Sequence, residues 1–203
     1  MAKIKICGLT RQQDIETVNR ALPDYIGFVF ANSKRRIGGD EAKALKAGLN
    51  PFIKTVGVFV NDDVRNIVRL CESGVIDMIQ LHGDEDEDYI MRLKNSVPNS
   101  IIKAARVKGS DDIKKAMDFS SDFLLLDGYH EGMYGGSGKA FDWSVIPLIN
   151  KPYFLAGGIN SDNIMRALEG CKPYGIDVSS GAETNGFKDP EKIFDIVAAA
   201  RRV

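Results

Sequence analysis

A chain of 203 residues with a formal net charge of -1, 44% hydrophobic and 27% charged residues, has the composition of an ordinary globular domain. So balanced a charge gives no bulk attraction to nucleic acid or to an anionic membrane surface. No apolar run reaches a membrane span, the N-terminus lacks a signal-peptide pattern, and three cysteines without CxxC or Cys/His spacing exclude a disulfide framework or zinc site.

In chain order, short apolar segments alternate with amphipathic ones. The first predicted strand, Ile4–Cys7, alternates isoleucine with lysine, as a strand with one face on a core does, and leads through Gly8 to a helix over Gln12–Arg20. Strands at Tyr25–Phe30, Ile53–Val60 and Met78–Leu81 follow, each trailed by a helix, over Asp40–Ala47, Val64–Ser73 and Glu85–Asn95. The pattern continues with strands at Ser100–Ala105, Phe123–Asp127, Tyr153–Ala156 and Tyr174–Val178. Their helices are predicted over Asp111–Phe119, Trp143–Ile149, Ser161–Glu169 and Pro190–Arg201. Helix starts are signalled by Asp62-Asp63, Ser110-Asp111, Ser161-Asp162 and Asp189-Pro190, the last placing proline at the first helical position.

Eight βα units predict an α/β fold of the (β/α)8 TIM-barrel type. An open doubly wound sheet rarely uses eight such units, and no GxGxxG follows the first strand. Without a linker, residues 1–203 read as a single compact domain.

Barrel active sites lie at the C-terminal ends of the strands. Gly157-Gly158 after the seventh strand and Ser180-Gly181 after the eighth let backbone N–H groups approach an anion, which points to a small phosphorylated ligand. Asp127 ends the apolar run Phe123–Leu126 and reads as a proton donor or as a backbone cap. The connection after it contains Gly135-Gly136-Ser137-Gly138-Lys139, expected to fold over a ligand, without Walker A spacing. Cys7 is a base, a nucleophile or a packed thiol, whereas Cys71 fits a packed thiol and Cys171 says little. Lys34-Arg35-Arg36 suits a carboxylate on a small substrate or a solvated loop. His82 either binds substrate or hydrogen-bonds within the barrel mouth, and His130 reads as exposed. Asp84–Asp88 reads as a solvated, acidic helix start. The unpaired cysteine count points to a reducing cytoplasm.

Taken in order, Lys5–Thr10, Gly27–Phe30 with Ser33-Lys34-Arg35, Val56–Phe59, Gln80–Gly83, Leu126-Asp127 with Gly135–Lys139 and Phe141–Trp143, Ala156–Ile159 and Asp177–Gly181 resemble the phosphoribosylanthranilate isomerase family of tryptophan biosynthesis over essentially the whole chain. The resemblance implies an Amadori rearrangement of N-(5'-phosphoribosyl)anthranilate to 1-(2-carboxyphenylamino)-1-deoxyribulose 5-phosphate, with no metal or organic cofactor. It implies Asp127 as general acid, Cys7 as general base, and Arg35 rather than Arg36 as the anchor of the anthranilate carboxylate. It also implies phosphate binding at Gly157, Gly158, Ser180 and Gly181, with His82 and Asp177 near the substrate. Two positions depart from the family pattern: Lys34 where proline is common, and Gly128 where a hydroxyl residue is common. Rival expectations are another sugar-phosphate enzyme on the same barrel, or a non-catalytic binding barrel. The expected partners are the small substrate and at most a second copy of the chain (monomer or homodimer), without nucleic acid or membrane.

Overall fold

The computed structural model describes residues 2–128 and 140–202. Eight parallel strands close into a barrel in sequential order: β1 (Lys3–Cys7), β2 (Tyr25–Val29), β3 (Lys54–Phe59), β4 (Met78–Leu81), β5 (Ser100–Val107), β6 (Phe123–Gly128), β7 (Tyr153–Leu155) and β8 (Gly175–Val178). Seven α-helices are present among the described residues: α1 (Gln12–Ala21), α2 (Gly39–Ala47), α3 (Val64–Glu72), α4 (Glu87–Ser96), α5 (Ser110–Met117), α6 (Ile164–Cys171) and α7 (Pro190–Ala200). His130 and the glycine-rich run Gly135–Lys139 lie outside the described residues.

Alternation along the strands divides the core in two. Ile4, Ile6, Ile26, Phe59, Leu124 and Leu126 join helix residues such as Ile15, Ile67, Leu93 and Ile193 in one cluster between barrel and helices. Tyr25, Val56, Met78, Ile102, Leu125 and Phe154 form a second cluster inside the barrel. Each fully buried isoleucine or leucine contributes about 1.5–3 kcal/mol by leaving water, so Ile6→Ala would cost about 2–5 kcal/mol once the cavity is included. Near the N-terminal ends of the strands, the Tyr25 and Tyr174 hydroxyls hydrogen-bond at 2.9 Å. Phe154 packs edge-on against both rings at centroid distances of 5.6 and 5.3 Å. Aromatic bulk fills that end and leaves room at the other.

The cap signals act as residue chemistry requires. Asp63 accepts from the Arg65 N–H at the start of α3, and Asp189, ahead of Pro190, accepts from Glu191 and Lys192 at the start of α7. The predicted helix over Trp143–Ile149 is instead one 3-10 turn, Trp143–Val145. Pro147 is the reason: the residue before a proline is driven out of the helical region, and Ile146 is extended at φ -71°, ψ 114°. The helix predicted from Ser161 opens on a turn over 161–163, where the Asn160 N–H donates to the Asn163 side-chain oxygen, and α6 proper begins at Ile164. The acidic run is only partly a solvated helix start. Asp86 caps α4, but Glu85 is buried, 2.8 Å from the Lys103 ammonium, and accepts backbone N–H bonds from Asn61 and Gly83.

After β8 comes an unpredicted hairpin, β9 (Glu183–Thr184) paired with β10 (Phe187–Lys188). Asn185 and Gly186, at φ 52° and 83°, make its two-residue turn, the Asn-Gly signature of the primed hairpin types.

Candidate active site

A cavity of about 740 Å³ opens at the C-terminal ends of the strands. Its wall brings together Cys7 of β1, Arg35 after β2, His82 after β4, Asp127 of β6, Gly157 and Gly158 after β7, and Asp177 and Ser180 of and after β8. Gly181 borders an adjoining cleft of about 340 Å³ that also touches Gly158 and Ser180. These residues come from across the chain, and closure of the barrel collects them.

The loops after β7 and β8, the predicted phosphate loops, meet at a backbone crossing. A Cβ added to Gly181 would lie 1.9 Å from the Ile159 carbonyl oxygen, so the loop after β8 approaches the loop after β7 only without a side chain there. Asn163 reinforces the first loop by donating to the Gly158 carbonyl at 2.9 Å. Backbone held this closely can present fixed N–H groups to an anion.

On the β4–β6 side, Gln80 and His82 sit two residues apart, with Gln80 Nε2 2.9 Å from His82 Nδ1. With the Gln80 amide donating, Nδ1 is the acceptor and the ring proton resides on Nε2, which faces Asp127 Oδ2 at 3.3 Å. Among the described residues, neither Gln80 Oε1 nor His82 Nε2 has a hydrogen-bond partner, although both are buried. Polar atoms left so at a cavity wall gain most from a polar ligand.

The β1–β8 side is cationic. Arg35 grips Glu183 through two bonds, Nε to Oε1 at 2.6 Å and Nη2 to Oε2 at 2.9 Å. Lys188 Nζ donates to the same carboxylate at 2.7 Å and to the Ser179 carbonyl at 3.0 Å. Burial would raise the Glu183 carboxyl, but the bonds from Arg35 and Lys188 outweigh it and hold the group down at about 2. Two cations around one carboxylate leave this wall with a net positive charge, suited to an anionic substrate.

Cys7 is 7% exposed. Burial pushes its thiol up, Lys5 pulls against the rise, Asp177 adds to it and Lys188 opposes it. The other cysteines differ. Burial and Glu72 push Cys71 up to about 11, burial alone raises Cys171, and neither has a lysine against it. Among the described residues no group of His, Cys, Asp and Glu side chains has an arrangement that could hold a metal ion.

The family model for N-(5'-phosphoribosyl)anthranilate (PRA) isomerase matches residues 4–199. The chain belongs to the N-(5'-phosphoribosyl)anthranilate isomerase family. An isomerase of that name from Endomicrobium trichonymphae is 51% identical over 201 residues, 99% of each chain. The crystal structure of the phosphoribosyl anthranilate isomerase of Thermotoga maritima superposes with a TM-score of 0.87 at 32% identity, covering 100% of both chains. A further solved isomerase, in complex with reduced 1-(o-carboxyphenylamino)-1-deoxyribulose 5-phosphate, superposes at 0.83 with 29% identity over 100% of both chains.

Four further residues support this isomerase cavity: Gln80 in its wall, and Lys5, Glu183 and Lys188 packed behind Asp177 and Arg35. Gln80 was legible in the run Gln80-Leu81-His82, where alternation puts it on the same face as His82. Glu183 and Lys188 flank the Asn185-Gly186 turn signal, which marks a hairpin directly after the Ser180-Gly181 loop. Lys5 looked like the polar face of a half-exposed strand, yet it is 0% exposed and its ammonium lies 2.9 Å from Asp177 Oδ1. The closed barrel has no solvent side for it to face.

Proposed function

We propose that this chain isomerises N-(5'-phosphoribosyl)anthranilate to 1-(2-carboxyphenylamino)-1-deoxyribulose 5-phosphate by general acid–base catalysis, residues 1–203 acting as one domain and as monomer or homodimer. The observation that carries it is the shared cavity wall of Cys7, Asp127, Arg35 and the two phosphate loops. Asp127 donates a proton to the furanose ring oxygen, the C1'–O bond breaks, and the sugar opens to a Schiff base. Cys7, as thiolate, removes the C2' proton, and the electron pair moves toward the nitrogen to give the enolamine. Reprotonation at C1' and loss of the enol proton yield the ketone, so proton gain and loss balance over the cycle.

The residue types suit these steps. The Schiff-base nitrogen acidifies C2'–H, so a thiolate is base enough. Asp127 and Cys7 project from strands β6 and β1, three steps apart around the barrel, which supports acid and base acting at different atoms of one sugar. Arg35 holds the anthranilate carboxylate, sharing its charge with Glu183. Gly157, Gly158, Ser180 and Gly181 hold the phosphate, and His82 and Asp177 stand beside the substrate. Rescue of a tryptophan auxotroph lacking this isomerase, together with turnover of the purified chain, tests the proposal. Folded protein that neither rescues nor turns over the substrate would refute it.

A further inference from the structure

Lys5 has no part in the chemistry so far, and its placement is costly. It is fully buried, and an ammonium is taken out of water only when it is paired. Three observations locate it. Lys5 and Asp177 are register partners on β1 and β8, with Nζ and Oδ1 2.9 Å apart. Lys5 and Cys7 are two residues apart on one strand and point to the same inner face. Gly27 is the register partner of Cys7 on β2, and a Cβ added there would lie 2.6 Å from Cys7 Sγ and 3.2 Å from Lys5 Nζ. Sulfur and ammonium thus border the same small space, within reach of each other, and the missing side chain at 27 is what leaves it open. Burial would lower the Lys5 ammonium, but Asp177 and Cys7 together hold it above its ordinary value.

We propose that Lys5 is a positioning residue for the enolisation step: anchored by Asp177, its buried ammonium holds the Cys7 sulfur and supplies the counter-charge of the thiolate. This rests on Cys7 being the base of the isomerisation. The groups facing the sulfur are Lys5 on its own strand, Asp177 on β8, Lys188 on β10 and Arg35 after β2, the last two already sharing Glu183. Among the described residues facing the sulfur, Lys5 is thus the cation not already engaged by Glu183. Its other partner, Asp177, holds it in place and, as an anion of its own, raises the Cys7 thiol. In the free protein, burial leaves Cys7 a thiol at neutral pH, so the reactive fraction is the small thiolate population that Lys5 stabilises. Turnover therefore rises with pH above neutrality, and Lys5 sets where that rise lies.

The test measures kcat and KM between pH 6 and 9.5 for the full chain, Lys5→Met, Asp177→Asn and Cys7→Ala. Alkylation of Cys7 by iodoacetamide is followed over the same range and read on the Cys7 peptide, so that Cys71 and Cys171 do not contribute. Methionine keeps the length of lysine without its charge. For Lys5→Met, kcat/KM at pH 7 should fall about 10- to 100-fold, mostly in kcat, as loss of a hydrogen bond to a charged group predicts. The alkylation profile should move to higher pH in Lys5→Met and to lower pH in Asp177→Asn, opposite signs that general damage to the fold does not produce. If Lys5→Met fails to fold, Lys5→Met with Asp177→Asn removes both charges, and its Cys7 profile should still move to higher pH. An unchanged profile, or one moved to lower pH, in whichever Lys5 variant folds overturns the role of Lys5. Cys7→Ala separates the two levels: if it is inactive while Lys5→Met turns over normally, only the inference falls, and if it turns over normally, the base assignment falls with it.

Discussion

Gly181→Ala is the sharpest perturbation of the proposed phosphate region because the new Cβ meets backbone. The new methyl would sit 1.9 Å from the Ile159 oxygen, 2.9 Å from its carbonyl carbon and 3.0 Å from the Asn160 Cβ, where ordinary contact begins near 3.4 Å. The loops after β7 and β8 must separate by about 1.5 Å, a distance no side-chain rotation can supply. Overpacking of this kind costs about 1–3 kcal/mol, and a displacement of about 1 Å in a positioning group costs up to about 100-fold in rate. We expect a lower urea midpoint, kcat/KM reduced about 10- to 100-fold, and weaker inhibition by inorganic phosphate. Gly109→Ala is the control: its φ is an extended -165° and nothing lies within 4 Å, so its stability should stay within about 0.5 kcal/mol of wild type. A Gly181→Ala protein with wild-type urea midpoint, kcat/KM and phosphate inhibition would refute the claim that this crossing shapes the anion site.

Asp127→Asn should lower kcat about 10²- to 10⁴-fold while leaving circular dichroism and phosphate inhibition intact, since it removes the acid without changing shape; normal turnover would remove Asp127 from the mechanism. Arg35→Ala should chiefly raise KM, and inhibition by free anthranilate should weaken in parallel; an unchanged KM would move the carboxylate anchor elsewhere. Glu183→Gln tests the cationic wall through acid stability. The folded carboxyl titrates at about 2, below the ordinary 4.5, so its stabilisation is present above pH 4.5 and lost as pH falls from there to 2. The Tm difference between wild type and Glu183→Gln should therefore be constant from pH 5 to 7 and close below pH 4.5. A gap that persists at pH 2 contradicts the ion cluster.

Much of the candidate site was legible because it is local. Gly157-Gly158, Ser180-Gly181 and Asp127 each sit at the end of an apolar run, and the alternation of strands and helices says that such ends converge. The helix that failed, Trp143–Ile149, failed for a local reason too, since Pro147 outweighs the spacing of its apolar residues. Glu183 was a different case. Nothing near it in sequence predicts a bidentate partner in Arg35, 148 positions away, and its own neighbourhood reads as a polar turn.

The opening strand draws the line most clearly. Sequence alone determined that Lys5 and Cys7 share a face, because side chains alternate along any strand. It also determined that Cys7 ends that strand, where barrels place their chemistry. Whether that face met water, core or substrate was decided only when β8 closed against β1 and set Asp177 beside Lys5. Alternation is a property of one strand, but burial, charge pairing and the state of a thiol belong to whatever packs against it. Closure of the barrel turned a lysine that looked solvated into a buried counter-charge for a sulfur.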